Sequence, residues 1–381
     1  QKTAYEIASC LVGSEMCIRD SFQRLHDSGR EVGSSFSVYQ DGKPLIDIWS
    51  GYSDKEKNIV WNRDTLANVW STTKGITALT LAHLHQQGRL DYEEKVSTYW
   101  PEFGCNGKED VTVGMLLSHQ AGICGSNTNN VEDYYDQAVM ASELAQMKPL
   151  WEPGTVSGYH SLTYGWLSSE LVIRITGKTL GTYFKEEIAA PNEIDFHIGL
   201  PESEENRVAE MVPFPREENK AKETNESNEA KQFSDQGPNL LKHQNTREWR
   251  NAEIASANGQ GCASGIAKLY SLIVTEDPNL KLLDNSTIET MSAERIAGRD
   301  LVLGVVTRWG AGFVMNMHKI IYGPEEKSFG HSGWGGSCGF GDPVNNLGIS
   351  YVMNKMANNL AADGRSIELI NKTYECLRGE N

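Results

Sequence analysis

The stretch Trp70–Gly75, WSTTKG, puts a hydroxyl and an amine three positions apart at the threshold of an apolar-periodic run. Residues i and i+3 share a helix face, so a helix starting here brings the Lys74 amine to the Ser71 hydroxyl. The helix N-terminus adds a partial positive field and free amides. A serine hydroxyl is a poor nucleophile until a base takes its proton and donors receive the oxyanion. Lysine at its ordinary pKa of about 10.4 is no base at pH 7, so burial or a neighbouring cation must lower it. In a chain of 381 residues about one or two S-x-x-K patterns arise by chance. Position at a helix start and the company of other motifs therefore decide its meaning.

Outward from this point, Ile76, Leu79, Leu81 and Leu84 give Thr72 to Gln87 an apolar face, and Gly88 suits its end. Upstream, SSFSVYQDGKPLIDIWSGYSD (Ser34 to Asp54) alternates on both sides of Asp41-Gly42 and predicts a hairpin. Downstream, helices are expected over Val111 to Ser118, Tyr134 to Met147 and Ser161 to Thr176, the last ended by Gly177. Strand chemistry returns in RWGAGFVMN (Arg308 to Asn316), KSFGHSGWGGSCGFGDP (Lys327 to Pro343) and LGISYVMN (Leu347 to Asn354), before a closing helix over Arg365 to Leu377. Strands, a helical middle and strands again predict an α+β fold: an antiparallel sheet flanked by helices with an inserted, mostly helical lobe. The sheet layer is expected from residues 22–75 and 262–381, and the lobe from 76–261. Within the lobe, residues 202–246 are rich in Glu, Asn, Lys and Ser and are expected as a mobile surface insertion.

Two further motifs accompany Ser71 and Lys74. WEPGTVSGYHSLTYG places Tyr159, His160 and Ser161 just before a predicted helix, and FGHSGWGG places His331, Ser332 and Gly333 on a predicted strand. In order and separation the three resemble S-x-x-K, Y-x-N and K-T-G of serine β-lactamases and penicillin-binding proteins. The tyrosine resembles the class C branch with its esterases. The resemblance runs from about Phe22 to the C-terminus, and VTVGMLLSHQAGI (Val111 to Ile123) agrees with it. It implies the β-lactamase/transpeptidase-like fold as a single unit over 22–381, Ser71 as the acylated nucleophile, and Lys74 with Tyr159 as the base system. Which of the two is the primary base stays open. It also implies an oxyanion hole from the amides of Ser71 and Trp334, and substrate contacts from His331, Ser332, Gly333 and Ser161.

The departures from the family pattern bear on substrate. Tyr159-His160-Ser161 lacks the amide side chain of Y-x-N. His331-Ser332-Gly333 replaces a permanent cation by an imidazole that is mostly neutral at pH 7. Preference for uncharged short acyl esters follows, making a carboxylesterase the expected activity. A β-lactamase or D-Ala-D-Ala carboxypeptidase is the alternative on the same fold, and a non-catalytic scaffold or self-assembling protein the alternative of another class. His119, in LLSHQAG, is expected to be structural.

Composition sets the remaining bounds. Apolar residues make up 39% and charged residues 23%, ordinary for a globular protein, and the net charge of −16 disfavours nucleic acid as a partner. No run of about 18 apolar residues predicts a membrane span. No phosphate loop or metal cluster is evident, so no cofactor and no metal are expected. Residues 1–20, QKTAYEIASCLVGSEMCIRD, resemble a translated sequencing-library adapter, and 1–21 are therefore expected to be a non-native leader. On that expectation the targeting signal goes unread. The remaining cysteines, Cys105, Cys124, Cys262, Cys338 and Cys376, are odd in number and widely spaced, which favours a reducing compartment such as the cytoplasm. The oligomeric state is left open.

Overall fold

The computed structural model describes residues 4–214, 229–361 and 363–379, with side chains from Met16 onward. An eight-stranded antiparallel sheet is built from β1 (Gly33–Gln40), β2 (Lys43–Gly51), β6 (Ile296–Arg299), β7 (Val306–Trp309), β8 (Val314–Met315), β9 (Phe329–Ser332), β10 (Cys338–Asp342) and β11 (Leu347–Met353). They run in the order β2-β1-β11-β10-β9-β8-β7-β6. A second sheet of two-residue strands, β3 (Ala67–Asn68), β4 (Phe196–His197) and β5 (Gln260–Gly261), pairs as β3-β5-β4.

The β1–β2 hairpin turns at Asp41-Gly42, both at positive φ (50° and 70°), as a tight two-residue loop requires. Register slips once, between Val38 and Tyr39. All seven residues of β11 are buried, so the sheet is covered on both faces. Helix α5 (Ala263–Val274) lies on one face, and glycines make its approach close: a Cβ on Gly348 would stand 2.0 Å from the Ala267 carbonyl. Tyr351, pointing the other way, meets Glu31 between α1 (Ala4–Asp27) and α6 (Gly364–Arg378), which pack together. Ile18 in α1 is fully buried, so core packing begins inside the segment whose sequence resembles an adapter.

Helix α2 (Thr72–Gln86) packs on β9, β10 and α4 (Thr163–Thr176) and is buried over nearly its whole length. Two expected elements divide in the structure. The helix expected over Tyr134 to Met147 breaks at Tyr135-Asp136, where the Asp136 side chain accepts from the Ala138 and Val139 amides and caps α3 (Gln137–Gln146). The strand expected over Arg308 to Asn316 divides into β7 and β8, because Gly310–Gly312 turn the chain with Gly312 at φ 88°.

Part of the polar insertion, residues 215–228, lies outside the described residues. Its described end is no solvated loop. The helix Glu229–Ser234 puts Ala230 and Phe233 on one face, and both pack into an apolar cluster with Cys124, Tyr159 and Trp309. No helix among the described residues is long and apolar enough to cross a membrane. None of them forms a group of three or more His, Cys, Asp or Glu able to hold a metal ion. The described cysteines are free thiols.

Candidate active site

Ser71 stands at the start of α2, directly after Trp70, whose φ of 46° lies in the left-handed region. A tryptophan adopts that conformation only when its surroundings hold it there. Here the Trp70 ring is clamped between Trp249 (centroids 5.5 Å apart) and Trp334 (5.1 Å). The sharp turn presents the Ser71 hydroxyl at the helix mouth, half-exposed, one turn from Lys74.

Lys74 is fully buried, and its Nζ has three partners: Ser71 Oγ at 3.1 Å, the Ser161 carbonyl at 2.7 Å and the Ser256 carbonyl at 2.9 Å. Burial drives its pKa well below the ordinary lysine value. In the neutral amine the two carbonyls occupy the two N–H groups, which leaves the lone pair facing the serine hydroxyl. The two carbonyls are themselves anchored. Thr77 Oγ1 donates to the Ala255 carbonyl at 2.6 Å, the Gly259 amide donates to Thr73 Oγ1 at 3.0 Å, and Ser256 Oγ donates to the Leu162 carbonyl at 2.7 Å. The threonines of STTKGIT thus hold the loop that positions the amine.

Tyr159 completes the group. Lys74 Nζ lies 4.8 Å from its ring centroid, and its hydroxyl is near enough to Ser71 for the serine to act on the phenol's pKa. Burial raises the phenol's pKa, so it remains protonated at neutral pH. Its backbone is fixed from afar: the Tyr159 amide donates to Asp300 Oδ1 at 3.0 Å, as do the amides of Val302 and Leu303. The ring stacks on Trp309 (5.8 Å, 11°) and on His331 (6.1 Å, 27°).

His331 is only 3% exposed, and its Nδ1 faces the Ser332 carbonyl at 2.8 Å. Burial, and next the nearby Lys74, push its pKa down to about 3, so the ring is neutral at pH 7. Ser332 Oγ lies 3.2 Å from the Tyr322 hydroxyl. Gly333 is a position for glycine alone: a Cβ would meet the Val69 carbonyl at 2.1 Å. There the β9–β10 turn is bolted to the start of α2, through Ser337 Oγ to the Val69 carbonyl (2.7 Å) and Thr72 Oγ1 with Ser337 Oγ (3.0 Å). This join brings Trp334 against Trp70, the residue before Ser71. Across Gly333–Gly336 the amides of Gly333, Gly335 and Gly336 donate to backbone carbonyls, while the amides of Trp334 and Ser71 have no acceptor among the described residues. Ser161 contributes its carbonyl to Lys74, and its hydroxyl lies 3.3 Å from Ser234 Oγ of the insertion.

Ser71, Lys74, Tyr159 and His331 therefore converge on one site together with the Ser161 carbonyl, whereas the hydroxyls of Ser161 and Ser332 and the ring of His160 face other partners. The sequence reading did not find Ser256 and Asp300, and it set His119 aside as structural. His119, at φ 65°, accepts the His160 amide at its Nδ1 (3.2 Å) and packs edge-on against Tyr159 (4.9 Å) and Trp309 (4.4 Å). It is a wall of the site that holds the Tyr159-His160 backbone.

The family model described as Beta-lactamase matches residues 18–372. The esterase/beta-lactamase LipL of Mycobacterium tuberculosis (strain ATCC 25618 / H37Rv) is 32% identical over 358 residues, covering 90% of this chain and 82% of that protein. A crystal structure of a family VIII carboxylesterase superposes with a TM-score of 0.89 at 40% identity, covering 95% of this chain and 97% of the other. A penicillin-binding protein homolog from Caulobacter crescentus follows at 0.88 and 38%, with coverage of 95% and 97%.

Proposed function

Because the chain belongs to the Beta-lactamase family, we propose that this serine hydrolase is a carboxylesterase that acts on short, uncharged acyl esters through an acyl-enzyme on Ser71. The observation that carries the reading is the Lys74 amine, with two carbonyl acceptors and one hydroxyl neighbour. Ser71 Oγ attacks the ester carbonyl as its proton passes to the Lys74 lone pair. The carbonyl oxygen becomes an oxyanion between the Ser71 and Trp334 amides. Collapse of the tetrahedral intermediate breaks the ester C–O bond, and the leaving alkoxide takes a proton relayed from Lys74 through the Tyr159 hydroxyl. Water then attacks the acyl-enzyme, giving its proton back along the same path, and the carboxylic acid leaves as Ser71 is restored. Lys74 acts as the primary base in this scheme because its pKa is lowered, whereas that of Tyr159 is raised.

Substrate preference rests on His331. A neutral, buried imidazole at the position of the motif lysine offers no cation to a substrate carboxylate, and an uncharged ester needs none. The LipL relative is named for both activities and the carboxylesterase for one. Parallel assays on a short-chain nitrophenyl ester and a chromogenic cephalosporin, with Ser71→Ala as control, test the assignment. Ester turnover that dominates and vanishes in Ser71→Ala supports it. Dominant cephalosporin turnover assigns a β-lactamase instead. A fluorophosphonate probe that fails to label the folded wild-type protein would remove Ser71 as nucleophile.

A further inference from the structure

The oxyanion-hole turn rests on a buried ion cluster that the catalytic scheme does not use. Arg365, at the start of α6, is 4% exposed, as is Asp363, and Glu31 is 3% exposed. All five guanidinium N–H groups have acceptors. Nε donates to Asp363 Oδ1 at 3.0 Å, and Nη2 to Asp363 Oδ2 at 2.8 Å. Nη1 donates to Glu31 Oε2 at 3.1 Å and to the Lys355 carbonyl at 2.9 Å. The last bond leaves the cluster: Nη2 donates to the Gly335 carbonyl at 2.7 Å.

Gly335 follows Trp334, whose amide has no acceptor among the described residues. The same turn is held at Gly335 by the Ala357 amide on its carbonyl (2.9 Å) and by its own amide on the Asn359 carbonyl (3.0 Å). Gly336 packs directly on the cluster, since a Cβ there would stand 2.6 Å from both Arg365 Nη2 and Asp363 Oδ2. Both glycines are at positive φ, 96° and 131°. A turn of that kind has little local preference for one geometry. A planar fork locked by two carboxylates supplies the missing rigidity.

We propose that Arg365, braced by Glu31 and Asp363, is a positioning residue that aims the Trp334 amide at the oxyanion through its bond to the Gly335 carbonyl. It touches no substrate and acts only through the turn. The inference rests on the esterase reading above and adds a device for transition-state alignment to it. Buried charge pairs cost desolvation and are weak contributors to stability. The aim of one oxyanion-hole amide, by contrast, is worth about 10²–10³ in kcat.

The test is Arg365→Lys, which keeps the charge and loses the fork, assayed against active sites counted by fluorophosphonate titration. Two readouts separate positioning from mere support of the fold: kcat and KM for a nitrophenyl butyrate, and inhibition by a short alkyl boronic acid that forms a tetrahedral adduct on serine. The expected result is a fall in kcat per titrated site of about a hundredfold, as for a reacting group displaced by about 1 Å. KM should stay within about twofold, and boronate affinity should weaken in step with kcat. Unchanged kcat per titrated site and unchanged boronate affinity, with only a lower melting temperature, would overturn the proposal. If Arg365→Lys yields no folded protein, Asp363→Asn, which keeps one acceptor oxygen and releases one of the five donors, is read by the same criteria. A folded wild type that never labels would remove the esterase reading, a result distinct from normal labelling with an insensitive Arg365 variant.

Discussion

At the scale of single residues, the proposed chemistry depends on a lysine whose pKa burial holds well below its ordinary value. Nothing positively charged is needed to lower the Lys74 pKa, because burial is the cause and the two carbonyls at 2.7 and 2.9 Å bond the N–H groups of the neutral amine as well as those of the ammonium. The direction of the shift sets the pH dependence. Below the lowered pKa the amine is protonated and cannot accept the Ser71 proton, so kcat/KM should rise with pH through that pKa and level off above it. Lys74→Ala should cut kcat by about 10²–10⁴-fold. Lys74→Arg should be equally impaired, since a guanidinium does not deprotonate in this range. Active-site-titrated kinetics across pH 5–9 check both, and an arginine variant retaining near-normal turnover would exclude Lys74 as the base. Tyr159→Phe leaves the ring stacking intact and removes only the relay, so its defect should fall mainly on kcat.

At the scale of elements, legibility follows how local the cause is. The hairpin at Asp41-Gly42 and helix α2 were readable because their turn residues and periodicity lie within a few positions. The break at Asp136 was missed because apolar periodicity continues across it while a cap interrupts the backbone. Strands β3, β4 and β5 could not be seen: two-residue strands drawn from residues 67, 196 and 260 carry no pattern of their own. In the candidate site, motif side chains announced themselves. Ser256 acts through its main-chain carbonyl, which leaves no side-chain signature, and Asp300 reaches the Tyr159 amide across 141 positions. Gly75 tests how tightly these elements join. A Cβ there would stand 2.2 Å from the Tyr270 hydroxyl of α5. Alanine in a helix interior gains about 1 kcal/mol over glycine. Overpacking a core contact costs about 1–3 kcal/mol. The clash is with the tip of a rigid, fully buried ring, so it should prevail, and Gly75→Ala should lower the urea midpoint. In a Tyr270→Phe background the hydroxyl is gone and the loss should shrink or reverse. Additive effects in that double-mutant cycle would show that the two side chains do not meet.

At the scale of the whole molecule, the site makes the fold sensitive to acid. His119, His160 and His331 surround Lys74, and burial lowers all three pKa values, to about 4 for His160, to about 3 for His331 and well down for His119. Each binds fewer protons folded than unfolded, so each contributes stability that is present above about pH 6.5 and lost as pH falls toward its folded value. The slope is on the order of 1.4 kcal/mol per pH unit for each histidine. Glu31 opposes them. Burial pushes its pKa up to about 7 against the pull of Arg365, so below pH 7 it favours the folded state until the unfolded carboxyl titrates near 4.5. These three groups against Glu31 account for a net uptake of about two protons on unfolding between pH 6.5 and 4.5, roughly 3 kcal/mol per pH unit at the steepest point, and the part-buried His26 and His83, lowered by burial as well, add to it in the same direction. The surface carboxylates that dominate the −16 net charge stay largely ionised above about pH 5, so the upper part of this window isolates the histidines. Urea unfolding at pH 7.5, 6.0 and 5.0 should therefore show stability falling steeply on acidification. His331→Asn should reduce that slope by about 1.4 kcal/mol per pH unit. Stability that stays flat between pH 7 and 5 would mean that the imidazoles are already protonated in the folded state. The same result would contradict the neutral His331 on which the proposed preference for uncharged esters depends.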